Sequence, residues 1–230
     1  MRKIGLVGGM SFEATAIYYR KINEAVRDRL GGFNAADLVL GSVNFQDIVD
    51  MQKSARWDDA GRHLGAVAKS LEGAGAACIL ICAVTMHLVA PAVEAAVGVP
   101  VIHVIDETAA KLKAAGCTRP LLIATRYTME NGFYQARMER HGIQVMVPDA
   151  EGRTATHDII FEELCAGIVK DSSRDVLLGL IETAKAQGAD SLIFGCTEIC
   201  MILDVATSPL PAFDSTDIHA NAAVDFALGG

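Results

Sequence analysis

Cys196 stands in Gly195-Cys196-Thr197-Glu198-Ile199, directly after the apolar run Ser191–Phe194 and before a predicted helix. A thiol at a helix N-terminus ionises more readily, because the N-terminal N–H groups favour the negative sulfur. That placement predicts a thiolate near neutral pH, able to take and return a proton. A buried, inert cysteine fits the same position, and position alone leaves both readings open. Cys78, Cys117, Cys165 and Cys200 read as packing residues, and Cys82, at the end of its apolar run, is intermediate. The six cysteines form no CxxC pair and have no accompanying His cluster, which argues against a structural zinc site. They are also too dilute for a disulfide scaffold.

Three more segments join Gly195–Glu198 as apolar-run ends rich in Gly, Ser or Thr. They are Gly8-Gly9-Met10-Ser11, Ala83-Val84-Thr85-Met86-His87 and Thr125-Arg126-Tyr127-Thr128. In open α/β sheets ligands bind beyond the carboxyl ends of the strands. Hydroxyls and backbone N–H groups there suit a small substrate bearing carboxylates. Gly8-Gly9 lacks the GxGxxG spacing, and no acidic residue ends the second strand, so nicotinamide and flavin are not expected.

Elements that could position these segments alternate along the whole chain. Strands are predicted at Ile4–Val7, Leu38–Val43, Cys78–Cys82, Val101–Val104, Pro120–Ala124, Gln144–Val147, Ser191–Phe194 and Pro211–Phe213. Helices are predicted from Ser11 to Leu30 and over Asp58–Gly73, Glu107–Ala115, Asn131–His141, Ile159–Val169, Asp175–Gln187 and Ile218–Leu228, with a turn at FQDIVDMQ. Strands separated by helices imply parallel sheets in an α/β fold.

The pattern also repeats. IGLVGG (4–9) resembles LLIATR (121–126), ACILICAVT (77–85) resembles DSLIFGCTE (190–198), and VPVIHVID (99–106) resembles LPAFDSTD (210–217), at offsets of about 117, 113 and 111. Two similar lobes follow, residues 1–103 joined by a C-terminal helix within 213–230, and residues 104–212. Facing lobes would set equivalent strand ends on opposite walls of one cleft.

With 51% apolar and 21% charged residues in 230, the chain is expected to be globular. A formal charge of -8 argues against nucleic-acid or anionic-membrane partners, though not against small anions. No stretch approaches the roughly 18 apolar residues of a membrane span. The basic start precedes an apolar run too short for a signal peptide, so a cytoplasmic location is expected.

IGLVGGMS (4–11), YYRKIN (18–23), TMH (85–87), ATRYTM (124–129), IIFEEL (159–164), GCTEI (195–199) and FDSTDIHA (213–220) together resemble the aspartate/glutamate racemase family, from Met1 to the last helix. They are most similar to a bacterial branch that includes a form specific for L-aspartate and L-glutamate. The resemblance implies two similar α/β lobes, no pyridoxal phosphate, no metal, an amino-acid or dicarboxylate substrate and a homodimer. It implies a two-base mechanism too, one thiol from each lobe acting on opposite faces of Cα, with Cys196 as the second-lobe thiol.

The first-lobe motif departs from the family's Cys-Asn-Thr. Anchored on Thr85-Met86-His87, its cysteine slot is Ala83 and its asparagine is Val84. Ala83 has no proton to give; the L-specific branch has threonine there. Cys82 lies one residue early and, by strand alternation, faces the other way. Thr85 and Thr197 are expected to bind carboxylate, with helix capping as the plain alternative. Met10 and Ser11 are expected to bind through backbone N–H groups. Gln52 matches a substrate-contacting position of the branch, against a solvated side chain. Thr125 and Thr128 are similar candidates. His87 reads as a helix-start histidine before a proton relay, Arg126 as a surface ion pair before an anion attractor, and Glu198 as a loop support.

The main expectation is a cofactor-independent racemase acting on aspartate or glutamate. Two others compete with it. One is a single-cysteine decarboxylase or isomerase of a related diacid, since decarboxylases in the superfamily keep only the second-lobe cysteine. The other is a ligand-binding homologue without turnover.

Overall fold

The computed structural model describes Met1–Gly229 as an α/β chain with two parallel three-stranded sheets flanked by helices. It divides into two compact units, Met1–His103 with the chain from His219 onward, and Val104–Ile218. Among the described residues no helix is long and apolar enough to cross a membrane.

The first unit runs β1 (Ile4–Gly8), α1 (Phe12–Leu30), β2 (Leu38–Ser42), α2 (Phe45–Lys53), α3 (Trp57–Gly73), β3 (Cys78–Ile81), a 3-10 turn (Thr85–Val89) and α4 (Ala90–Ala96). The sheet order is β2-β1-β3, with Val7 opposite Ile81. Both faces of β1 and β3 are covered, so these two strands read as unbroken apolar runs, whereas the edge strand β2 is partly exposed. Ile4, Leu6, Cys78, Leu80 and Cys82 pack with Tyr18, Ile22 and Val26 of α1, and with Ala220 and Val224 from the last helix. Val7, Ile79 and Ile81 pack the opposite way, with Leu64 and Ala68 of α3 and Val93 of α4. Each buried Leu or Ile contributes about 1.5–3 kcal/mol relative to exposure. Alternation anchored by that many of them decides where the residues after β3 point. Cys82 goes with Leu80, and Ala83 packs on the other cluster.

In the second unit come α5 (Val104–Ala114), β4 (Pro120–Ile123), α6 (Arg126–Glu130), α7 (Phe133–Arg140), α8 (Ala150–Asp158), a π turn (Ile159–Glu163), a 3-10 turn (Leu164–Ala166) and α9 (Asp171–Ala186). After them come β5 (Ser191–Phe194), a 3-10 turn (Thr197–Met201), β6 (Ala212–Asp214) and the start of α10 (Ser215–Leu228). The order is β4-β5-β6, with Ile123 opposite Phe194. Leu121, Ile123, Leu192 and Phe194 pack with Ile160, Leu164, Leu177 and Ile181, and Cys196 and Cys165 lie against the same cluster. The repeat seen in the sequence is visible in the pairing. Val101 bridges Ile79 beyond β3 as β6 pairs beyond β5, and Met146 bridges Leu121 as β2 pairs with β1.

Several predicted elements are redrawn. Val101–Val104 and Gln144–Val147 are single bridges rather than strands, and α5 begins at Val104. FQDIVDMQ is a helix, because Phe45–Lys53 holds no Gly or Pro and buries Ile48 and Gln52 one turn apart. The helix expected over Asn131–His141 begins only at Phe133, because Gly132 at φ 73 stands outside it as its N-cap, and it ends at Arg140. The one expected from Ile159 starts at Ala150, where the Asp149 side chain accepts from the Gly152 N–H, and its last turn ends at Gly167.

Candidate active site

In the first unit, β1 and β3 are neighbours, so the loops that follow them leave the same sheet edge. Gly9 has φ +89, and a Cβ there would lie 2.3 Å from the Val43 carbonyl oxygen, so the backbone passes where no side chain fits. Met10 is buried in the same cluster that Ala83 touches. Ser11 caps α1, its Oγ accepting from the Ala14 N–H at 3.2 Å, and Thr15 Oγ1 donates to the Ser11 carbonyl and accepts from the Gly9 N–H. Ser11 thus holds the loop through its own side chain.

Ala83 and Thr85 are half-buried and Val84 is buried. Gln52 is not a solvated residue after a turn. It sits in the last turn of α2, 7% exposed, with Nε2 3.2 Å from Met86 Sδ, beside the Ala83–Thr85 loop. Cys82 is fully buried, and burial pushes its thiol far up.

Behind this loop lies a cluster that sequence reasoning missed. His87, His103 and His219 are all buried, with ring centroids 4.6 Å apart for His87 and His103 and 5.6 Å for His87 and His219. His87 Nδ1 lies 3.0 Å from the Ala83 carbonyl oxygen. A carbonyl only accepts, so Nδ1 carries the proton. His219 Nε2 donates to the Ile102 carbonyl at 2.7 Å, which leaves Nδ1 to accept from Tyr18 Oη at 2.9 Å. Burial, with the neighbouring histidines second, holds His87 well below the usual imidazole range. Tyr18 and His219 both fall inside motifs shared with the family; what the sequence could not show is that they meet.

In the second unit, Thr125 and Cys196 follow the paired strands β4 and β5, and the Gly195 N–H donates to the Ile123 carbonyl at 2.8 Å. Thr125 caps α6, and its Oγ1 is 3.2 Å from Thr128 Oγ1, both residues being buried. The Arg126 N–H donates to His157 Nδ1 at 3.3 Å, and its guanidinium lies 4.0 Å from Asp158. Thr197 is buried at the start of a five-residue 3-10 turn.

Cys196 is half-buried at the head of that turn, its Sγ donating to Glu198 Oε2 at 2.9 Å. The other oxygen, Oε1, lies 3.9 Å from Cys165 Sγ. The lowered thiol pKa expected at a helix N-terminus is not what this arrangement produces. Burial, then the Glu198 carboxylate, push the Cys196 thiol well above its ordinary value. The short 3-10 turn supplies little dipole, and the facing negative charge opposes a thiolate. Among the described residues no group of three or more His, Cys, Asp or Glu side chains is placed to hold a metal.

Two topologically equivalent parallel sheets, with strand ends rich in Gly, Ser and Thr, define an α/β protein of two similar units. Residues 7–223 match the Asp/Glu/Hydantoin racemase family model, and the chain belongs to that family. It is similar to a candidate Asp/Glu racemase from Yersinia pestis, at 46% identity and TM-score 0.93 over 99% of this chain and all of that one. An aspartate racemase homologue from Pyrococcus horikoshii OT3 gives 32% identity and TM-score 0.88, over 99% and 100%. The broad specificity amino-acid racemase RacX of Bacillus subtilis is 22% identical over 98% of each chain.

Proposed function

We propose that this chain is a cofactor-independent racemase-family enzyme of aspartate or glutamate, in which Cys196 exchanges the Cα proton from one face. The observation that carries this reading is the half-buried thiol of Cys196, at the end of β5 and bonded to a carboxylate that can receive its proton. Met10, Ser11, Gln52, Val84, Thr85, Thr125, Thr128 and Thr197 bind the substrate, the threonines and loop N–H groups taking its carboxylates. Ala83 occupies the slot for the second proton donor and supplies none. The working form is a homodimer of two-lobed chains.

A one-sided base has a distinctive signature. In D₂O, the enantiomer whose Cα–H meets Cys196 should gain deuterium without inversion, because no donor on the other face completes racemisation. The test incubates the protein with L- and D-aspartate and L- and D-glutamate, reading deuterium by mass spectrometry and chirality by chromatography. Exchange into one enantiomer that outruns racemisation supports the reading. No exchange into any of the four, with ligand binding intact, sinks it in favour of a binding protein.

A further inference from the structure

Behind the turn headed by Cys196, the second unit holds a cavity of about 300 Å³. Its walls come from α9, from the end of the Thr197–Met201 turn with the residues after it, and from Thr207–Pro209. Cys196, Thr197 and Glu198 take no part in it. The volume stands at the lower end of the range for small-molecule sites.

The cavity is charged at one end and apolar at the other. Arg174, Leu178 and Ile181 line it from one face of α9. At 1.5 Å per residue the two apolar side chains start about 6 and 10 Å along the helix from the arginine. Arg174 donates from Nε to the Ile202 carbonyl at 2.9 Å and from Nη1 to Asp171 at the exposed rim, which leaves Nη2 without a partner. Ile202 stands two residues before Asp204, so the Asp204 carboxylate lines the same end. Its Oδ1 accepts from the Ala206 N–H, and Oδ2 is left open. Ser208 Oγ is buried without a hydrogen-bond partner. Such a group in a native structure calls for an explanation, and a turn about its one side-chain torsion presents it to the cavity.

We infer that this is a binding site for a free α-amino acid with an apolar side chain. Its carboxylate meets Arg174 Nη2, its ammonium meets Asp204 Oδ2, and its side chain runs along Leu178 and Ile181. A ligand carrying only a negative charge would leave Asp204 uncompensated, and one carrying only a positive charge would leave Arg174 so. The occupant packs against Cys200 and Met201, at the end of the turn that Cys196 heads, and steadies that turn from behind. What this does to turnover rests on the racemase reading; the binding does not.

Calorimetry on the full-length protein compares L-leucine with 4-methylpentanoate, 3-methylbutylamine and glycine, which lack in turn its ammonium, its carboxylate and its apolar body. Leucine should bind about tenfold or more tightly than each, the usual worth of one charge-assisted bond or a buried side chain. Cys200, exposed in the cavity wall, locates the ligand. Saturating leucine should slow its alkylation by iodoacetamide several-fold, read by peptide mass spectrometry. Asp204→Asn keeps a side-chain oxygen for the Ala206 N–H but loses the charge, and should weaken leucine about tenfold with the urea midpoint unchanged. No leucine binding overturns the inference, and so does 4-methylpentanoate binding equally well. Leucine that binds but leaves Cys200 open and ignores Asp204→Asn sits elsewhere, and overturns it too. Failure of the racemase reading would show only in Cα exchange, which none of these measurements uses.

Discussion

The ends of β3 and β5 occupy equivalent places in two similar sheets, and they have been filled differently. Cys82-Ala83 corresponds to Gly195-Cys196 in the repeat. In both units the second residue of the pair lies against an apolar cluster of its sheet, Ala83 on that of α3 and α4, Cys196 on that of α9. In the first unit the sulfur belongs to Cys82, one position early, and is sealed beneath α1 and α10. In the second, the early position is glycine and the sulfur follows it, half-buried against Glu198. One residue of register along a strand turns a thiol from a core atom into a candidate base. Both loops also carry an ionisable group close behind them. His87 holds the Ala83 carbonyl through a neutral ring, whereas Glu198 holds the Cys196 thiol through an acceptor.

The largest effects should come from exchanging the chemistry of the two ends. Cys196→Ser keeps the shape but replaces the thiol by a far weaker acid. Cα deuterium incorporation should fall by about 10²–10⁴-fold, the usual worth of an acid–base group, while aspartate binding by calorimetry persists. Equal exchange in both proteins would strike the β5 end from the mechanism. The converse substitution, Ala83→Cys, supplies a donor to the β3 end. Racemisation measured by polarimetry should rise toward the same range, about 10²-fold or more, and Ala83→Thr should give a smaller gain. A protein that binds aspartate and gains nothing from Ala83→Cys would show that the two ends do not act as a pair.

Acid should affect the first unit through its buried histidines. His219, fully buried with burial as the main cause, titrates at about 4, against about 6.5 in an unfolded chain. The unfolded state therefore binds the proton first. The contribution to stability is fully present above about pH 6.5 and is lost as pH falls toward 4, about 3 kcal/mol over that window for this residue. His87 is lowered in the same direction and adds to the slope. Urea unfolding at pH 7 and pH 5 should show the loss, and His219→Gln, which keeps a side-chain donor, should flatten it. A slope unchanged by His219→Gln would mean that other groups govern the acid limb.

Why some of this could be read from the sequence and some could not follows from where the information lies. The strands Ile4–Gly8, Cys78–Ile81, Pro120–Ile123 and Ser191–Phe194 announce themselves, because burial on both faces makes each a continuous apolar run. The repeat, the family motifs and the departure at Ala83 are equally local. The α2 helix is short, and its buried face includes a glutamine, so its period was hidden. His87, His103 and His219 lie far apart in the chain and meet only in three dimensions. The thiol's direction of shift was misread for a related reason. The Gly-Cys-Thr-Glu order is visible, but whether Glu198 turns its carboxylate onto Cys196 depends on packing around both.

The smallest effect probes the early position itself. Gly195 has an ordinary backbone conformation, so its lack of a side chain is a matter of space. A Cβ there would stand 2.5 Å from Leu122 Cδ1, 2.9 Å from Ala124 Cβ and 3.3 Å from the Ile123 carbonyl oxygen. Leu122 is fully buried and has little room to retreat. Gly195→Ala should therefore cost about 1–3 kcal/mol by overpacking, read as a lower urea midpoint at an unchanged m-value. At the equivalent place in the first unit a side chain is already accommodated, so Cys82→Ala removes only a sulfur from the core. Its cost should lie at the lower end of the range for trimming a core side chain, about 1 kcal/mol. If Gly195→Ala is instead neutral, Leu122 can yield, and the glycine is not what keeps β5 close to β4 or seats Cys196 on its cluster.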